Sequence, residues 1–113
     1  MSLVGKVKRV RIYVSERDKV HHRPATDAVL EFLRHERAHW ATLFRSAGGF
    51  GSSGTVHVAH LVDVAADLPV LLEWLDSPDD VERLLPRVTA MVPGALITID
   101  ETEIVHAPAD APR

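Results

Sequence analysis

From Arg45 to Gly54 the chain reads Arg-Ser-Ala-Gly-Gly-Phe-Gly-Ser-Ser-Gly, which holds four of its six glycines. Glycine in the middle of a helix or strand is destabilising, and it opens backbone conformations of positive φ that other residues avoid. A segment so dense in it predicts neither a regular strand nor a helix. It is read as a loop that divides the chain and either moves or cradles a ligand. Its three serines and Arg45 are donors suited to an anion such as phosphate.

Two phosphate-loop readings fail on context. Gly49-x-Gly51-x-x-Gly54 matches the dinucleotide pattern, and Glu73 lies near the distance expected of a ribose-binding acid. That pattern needs a strand before it and a helix after it. Here it is followed by Val56-His57-Val58-Ala59-His60-Leu61-Val62, which alternates like a strand. A chain of 113 residues is also too short for a doubly wound domain. A Walker loop is excluded because no Gly-Lys-Ser/Thr follows the glycines.

The length fits one domain with a single core, taken as 1–113 with the core over about 7–105 and a flexible tail over 106–113. No apolar run approaches the roughly 18 residues of a membrane span, and Met1–Lys6 lacks a signal-peptide core. With no cysteine there is neither a disulfide framework nor thiolate chemistry, so the expected compartment is the cytoplasm. Net charge is −3, but the signs are segregated. Ten Lys/Arg against five Asp/Glu through Arg45 give +5, while three against eleven from Ser46 onward give −8. The basic residues of the first strand and following loop (Lys6, Lys8, Arg9, Arg11, Arg17, Lys19, Arg23) are either a solvated strand face or an electropositive rim for an anionic ligand. The acidic balance and the lack of helix-turn-helix or zinc-finger patterns argue against nucleic acid as a partner.

Alternation of Val10, Ile12 and Val14 with Arg9, Arg11 and Tyr13 predicts a half-buried strand over about 7–15. Ser15–Arg23 reads as charged loop. Pro24 is placed to start a helix over about 25–36, with Ala28, Val29, Phe32 and Leu33 as its apolar stripe. Trp40–Ser46 reads as a second strand and Val56–Val64 as a third strand region. After a break at Ala65-Ala66-Asp67 the apolar run Val70–Leu75 suits a strand buried on both faces. Ser77-Pro78-Asp79-Asp80 is the strongest helix start, with Val81, Leu84, Leu85 and Val88 as the buried stripe and a kink expected at Pro86. Pro93-Gly94 ends that helix, and Ala95–Val105 forms the last strand. Two right-handed split βαβ units of this order give an α+β, ferredoxin-like βαββαβ fold: a four-stranded antiparallel sheet with both helices on one face. The other face is left needing cover, which argues for an oligomer.

Several stretches together resemble the family catalogued as domain of unknown function 190. They are Arg11-Ile12-Tyr13-Val14-Ser15-Glu16-x-Asp18-Lys19, the Arg45-x-x-x-Gly49-Phe50-Gly51 loop with His57 after it, Asp67-Leu68-Pro69-Val70, Asp76-Ser77, Leu85-Pro86 and Leu96-Ile97-Thr98-Ile99. The resemblance spans about residues 9–106 and implies a PII-like homotrimer with a mobile loop between its second and third strands. By that kinship a small anionic effector, an adenine nucleotide for instance, binds in clefts between subunits. The matching positions are Arg45, Gly49, Phe50, Gly51 and His57, with Arg11 in the first-strand motif and Ser52 and Ser53 as local additions. The resemblance also implies a partner protein, a membrane transporter among the candidates, because some family members are similar in genomic setting to fluoride-exporter operons. The turn Val92-Pro93-Gly94-Ala95 departs from the phosphate-gripping loop of true PII signal proteins, being short and neutral, and the long loop has no tyrosine placed for modification.

Seven histidines raise the question of metal. His35-Glu36-Arg37-Ala38-His39 spells HExxH, which on one helix face would pair two imidazoles with a general base. The apolar stripe runs out by Glu36, so His39 falls at or past the helix end and the spacing is read as accidental. The adjacent pair His21-His22 is a poor site, and His57 and His60 point to opposite sheet faces. Ser52 with His57 lacks the strained elbow of a nucleophile. The leading expectation is therefore a non-enzymatic regulator with no cofactor. A small dimeric ferredoxin-like enzyme and a metal-responsive trimer resembling the CutA family are the alternatives.

Overall fold

The computed structural model describes residues 3–58 and 68–109. In chain order the elements are β1 (Gly5–Ser15), β2 (Lys19–Val20), β3 (Arg23–Pro24), α1 (Ala25–His35), β4 (Trp40–Arg45), β5 (Gly48–Gly49), β6 (His57–Val58), β7 (Pro69–Asp76), α2 (Pro78–Met91) and β8 (Leu96–Ile104). The main sheet is antiparallel in the order β4-β7-β1-β8, the ferredoxin-like arrangement expected from the two split βαβ units. Two small hairpins, β2–β3 and β5–β6, lie outside it.

Strand alternation sets the layers. Val10, Ile12 and Val14 of β1 and Val70, Leu72 and Trp74 of β7 are buried beneath the helices, against Val29 and Leu33 of α1 and Val81, Leu84 and Val88 of α2. Fully burying one such side chain contributes about 1.5–3 kcal/mol. Helix α2 begins as its sequence dictates: the Ser77 hydroxyl accepts the Asp80 N–H at 3.2 Å, Pro78 follows at the first position, and two aspartates face the positive end of the dipole. The helix runs on through Pro86 to Met91.

Some expectations change. The strand that pairs with β4 is β7, in the register Phe44↔Leu71, and of the expected strand region 56–64 only residues 56–58 are described. His57 and Val58 pair instead with Gly49 and Gly48, so two of the loop glycines do enter a short ladder. Residues 59–67, including His60, lie outside the described residues, as do 110–113 of the expected tail. The run Val70–Leu75 is buried deeply on alternate residues only, so β7 has one core face and one half-buried face. Ser15–Arg23 is not all loop. His21 and His22, with φ of 49° and 68°, close the β2–β3 hairpin in the left-handed conformation of a two-residue primed turn. Pro24 caps α1 from outside rather than standing within it.

The HExxH segment leaves the helix as expected. Helix α1 ends at His35, Arg37 turns into left-handed conformation at φ 61°, and Glu36 pairs with Arg83 at 3.1 Å. His35 is exposed and His39 buried, so the two imidazoles share no face. The His39 N–H donates to Asp76 at 3.1 Å, and this carboxylate is fully buried at the end of β7.

Candidate functional site

Segregated charge along the chain becomes cross-strand pairing in the sheet. Arg9 pairs with Asp100, Arg11 with Glu73 at 3.2 Å and Lys8 with Glu101 at 3.8 Å, each directly opposite in register. The Arg9 guanidinium holds the Asp100 carboxyl below the usual carboxylate range, chiefly through their hydrogen bond. The basic first strand is thus matched by acidic partners from the second half of the chain.

The glycine-rich loop has a defined path. The Ser46 hydroxyl donates to the Pro69 carbonyl, Gly49 stands opposite His57, and the Gly54 N–H donates to the Gly51 carbonyl at 3.0 Å to close a turn at Ser52-Ser53. The loop leans over the end of the sheet and forms one wall of a cavity of about 670 Å³. Phe50, Gly51, Ser52 and Ser53 supply that wall; Tyr13, Ser15 and Asp18 supply another, and Pro69 with Gly94-Ala95-Leu96 closes the rest. The assembly follows from register, because Ser15 lies opposite Pro69 and Tyr13 opposite Leu96.

Four of the eight residues picked from the sequence therefore line one cavity. Gly49 borders it: a Cβ there would meet Pro69 Cγ at 3.2 Å, and its φ of 155° disfavours any side chain. Arg45 is largely exposed and bound to Glu16 at 2.8 Å, one residue past Ser15 of the lining. Arg11 faces Glu73 in mid-sheet, outside the cavity's lining, and His57 is placed through its backbone opposite Gly49. Tyr13, Asp18 and the Gly94–Leu96 turn were missed; the Pro93-Gly94 turn signal could have flagged the last of these.

The chemistry of the lining is specific. It offers four hydroxyls, two aromatic rings and the Asp18 carboxylate, which accepts the Ser15 N–H at 3.1 Å, but no Lys, Arg or His. One subunit's cavity suits a hydroxylated, stackable group, and an anionic end needs cations from beyond that lining. Among the described residues no group of three or more His, Cys, Asp and Glu is placed to hold a metal ion, and no helix is long and apolar enough to cross a membrane.

Replacing Gly49 by alanine is expected to destabilise the protein by about 1–3 kcal/mol, the usual size of strain at a glycine-only conformation. Gly51, with open space around it and no positive φ, serves as the control and should change stability by less than about 0.5 kcal/mol. Chemical denaturation of the two alanine variants at equal chain concentration makes the comparison, and equal stability would remove the anchoring role given to Gly49.

A ferredoxin-like subunit of this topology shares its fold with PII-like proteins. The chain belongs to the DUF190 family, described as an uncharacterized ACR, whose pattern its residues 7–104 match. It is 28% identical over 103 residues to the UPF0166 protein of Aquifex aeolicus, covering 91% of this chain and 97% of that one. It is 26% identical over 97 residues to a UPF0166 protein of Methanocaldococcus jannaschii, covering 84% and 89%. Among solved structures it is similar in fold to CPII, a nitrogen regulatory PII-like protein from Thiomonas intermedia K12 bound to ADP, AMP and bicarbonate, with a TM-score of 0.60, 14% identity and 94% of each chain covered. A second structure of CPII, bound to ADP and bicarbonate, gives a TM-score of 0.57 at 16% identity, covering 94% of this chain and 95% of that one.

Proposed function

We propose that this chain is a non-enzymatic, cytoplasmic PII-like regulator that works as a homotrimer and binds a small anionic effector, an adenine nucleotide in the first instance. The base and sugar occupy the cavity beside Phe50–Ser53, and the phosphates extend to cations at the subunit boundary. Arg45 is the first candidate, at the root of the loop. The observation that carries this reading is the lining itself, with aromatic and hydroxyl groups on a glycine-rich loop but no cation of its own. The nucleotides bound to the CPII structures support the choice of effector. Ordering loop residues costs about 1–2 kcal/mol each, so a ligand that touches the loop directly shifts its population of conformers. The ordered loop then engages or releases a partner protein, a membrane transporter among the candidates.

Light scattering and a nucleotide thermal-shift series test this together. A mass of three times 12.5 kDa is expected. ADP, AMP or ATP, with and without bicarbonate, should raise the melting temperature, since ligand at about 100 times Kd adds roughly 2.7 kcal/mol. Phe50→Ala should weaken that ligand by about tenfold or more, as stacking of a base on an aromatic ring contributes about 1–3 kcal/mol. A monomeric or dimeric mass, or nucleotide affinity indifferent to Phe50, would reject the proposal.

A further inference from the structure

A second cavity, of about 590 Å³, lies on the helix side of the molecule between the β2–β3 hairpin, α1 and the end of α2. It shares no residue with the loop cavity. Its apolar floor includes Val20, Phe32 and Met91, and its rim carries His21, Arg23, Arg34 and His35. A cavity of a few hundred Å³ with an apolar body and a few convergent polar groups is the usual form of a small-molecule site.

Charge and backbone decide what it would take. Glu31 is the one carboxylate of the lining, and it is bound to Arg23 at 2.6 Å. Arg34 pairs with no carboxylate among the described residues, so the groove keeps an uncompensated guanidinium beside two imidazoles. Arg87 stacks over the Phe32 ring at 4.6 Å, its own charge met by Glu36 at 3.6 Å, so the uncompensated guanidinium is that of Arg34. The hairpin that holds His21 at the rim has left-handed backbone at both His21 and His22, positions where Asn-Gly is the favoured pair. Retaining two histidines there keeps strain in the turn while presenting an imidazole to the groove, a pattern that points to use rather than stability.

We propose that this groove is a second ligand site, distinct from the loop cavity, for a small organic anion with a flat apolar body: the body lies on Phe32 and Met91, and a carboxylate, sulfonate or phosphate meets Arg34, His21 and His35. The test uses anilinonaphthalene sulfonate as probe on the full chain, with uncharged phenylnaphthylamine as the comparison and amide chemical shifts to locate binding. The sulfonate is expected to bind more tightly than the uncharged ring system and to shift amides over 20–23 and 31–35. Arg34→Glu should weaken it about tenfold or more, the effect of removing a charge-assisted contact. His21→Gly, which relieves the turn, should stay folded and also bind less well. Equal affinity for the uncharged compound, unchanged affinity in folded Arg34→Glu, or shifts confined to Phe50–Ser53 or the sheet face would each overturn the proposal.

Discussion

Asp76→Ala is expected to lower stability by about 3–5 kcal/mol, since buried donors left without an acceptor cost about 1–3 kcal/mol each. The carboxylate is fully buried and, among the described residues, accepts at least three N–H groups. Oδ2 takes the His39 backbone N–H at 3.1 Å and the Trp74 indole at 3.2 Å, while Oδ1 takes the Ser77 N–H at 2.9 Å. These donors come from the β4 approach, the core of β7 and the cap of α2, so one side chain ties three elements at one end of the sheet. Removing it leaves the donors in place inside the protein and opens a void beside Trp74, itself fully buried. Asp76→Asn keeps one acceptor oxygen and should lose about half as much. Denaturant unfolding of both variants at equal chain concentration checks the order, and a loss below about 1 kcal/mol for Asp76→Ala would show that water replaces the carboxylate.

Phe44→Asp is expected to abolish assembly while leaving a folded monomer. Trp40 and Phe44 of β4, Tyr13 of β1 and Leu96 of β8 lie on the sheet face turned away from the helices, with 47%, 47%, 37% and 65% of their surfaces exposed. Leu71 and Leu75 of β7 fill the space between, and the Arg9–Asp100 and Arg11–Glu73 pairs cross the same face. Apolar area of this extent marks an interaction surface, and in the trimer proposed above it is covered by neighbouring subunits. An aspartate at position 44 puts a charge into that contact without touching the core, where it has no part. Light scattering should then report the single-chain mass with near-native circular dichroism. An intact oligomer would place the contact elsewhere; a monomeric parent protein would remove the trimer itself.

Much of the architecture was written locally. The alternation of Val10, Ile12 and Val14, the Ser77-Pro78 start of α2 and the apolar stripe of Leu84 and Val88 each depend on neighbours within a turn or a pleat. Short-range periodicity reads such signals directly. The loop residues Phe50–Ser53 were legible for the same reason, since glycine density alone forbids an extended regular element there.

Which apolar run becomes the third strand was not local. Val70–Leu75 takes its place in the sheet by pairing with both β4 and β1, contacts that span many residues of sequence. The rest of the cavity was hidden likewise: Tyr13 meets Leu96, and Ser15 meets Pro69, only through sheet register. Arg9, Arg11 and Lys8 read as a basic strand because their acidic partners stand 91, 62 and 93 positions further along the chain. Sequence by itself determined both helices, the outlines of β1, β4, β7 and β8, the glycine loop and the family. Tertiary structure decided which strands pair, which charges neutralise each other and which residues meet the loop, because hydrogen-bonded register and charge neutralisation are properties of chain segments far apart in sequence and close in space.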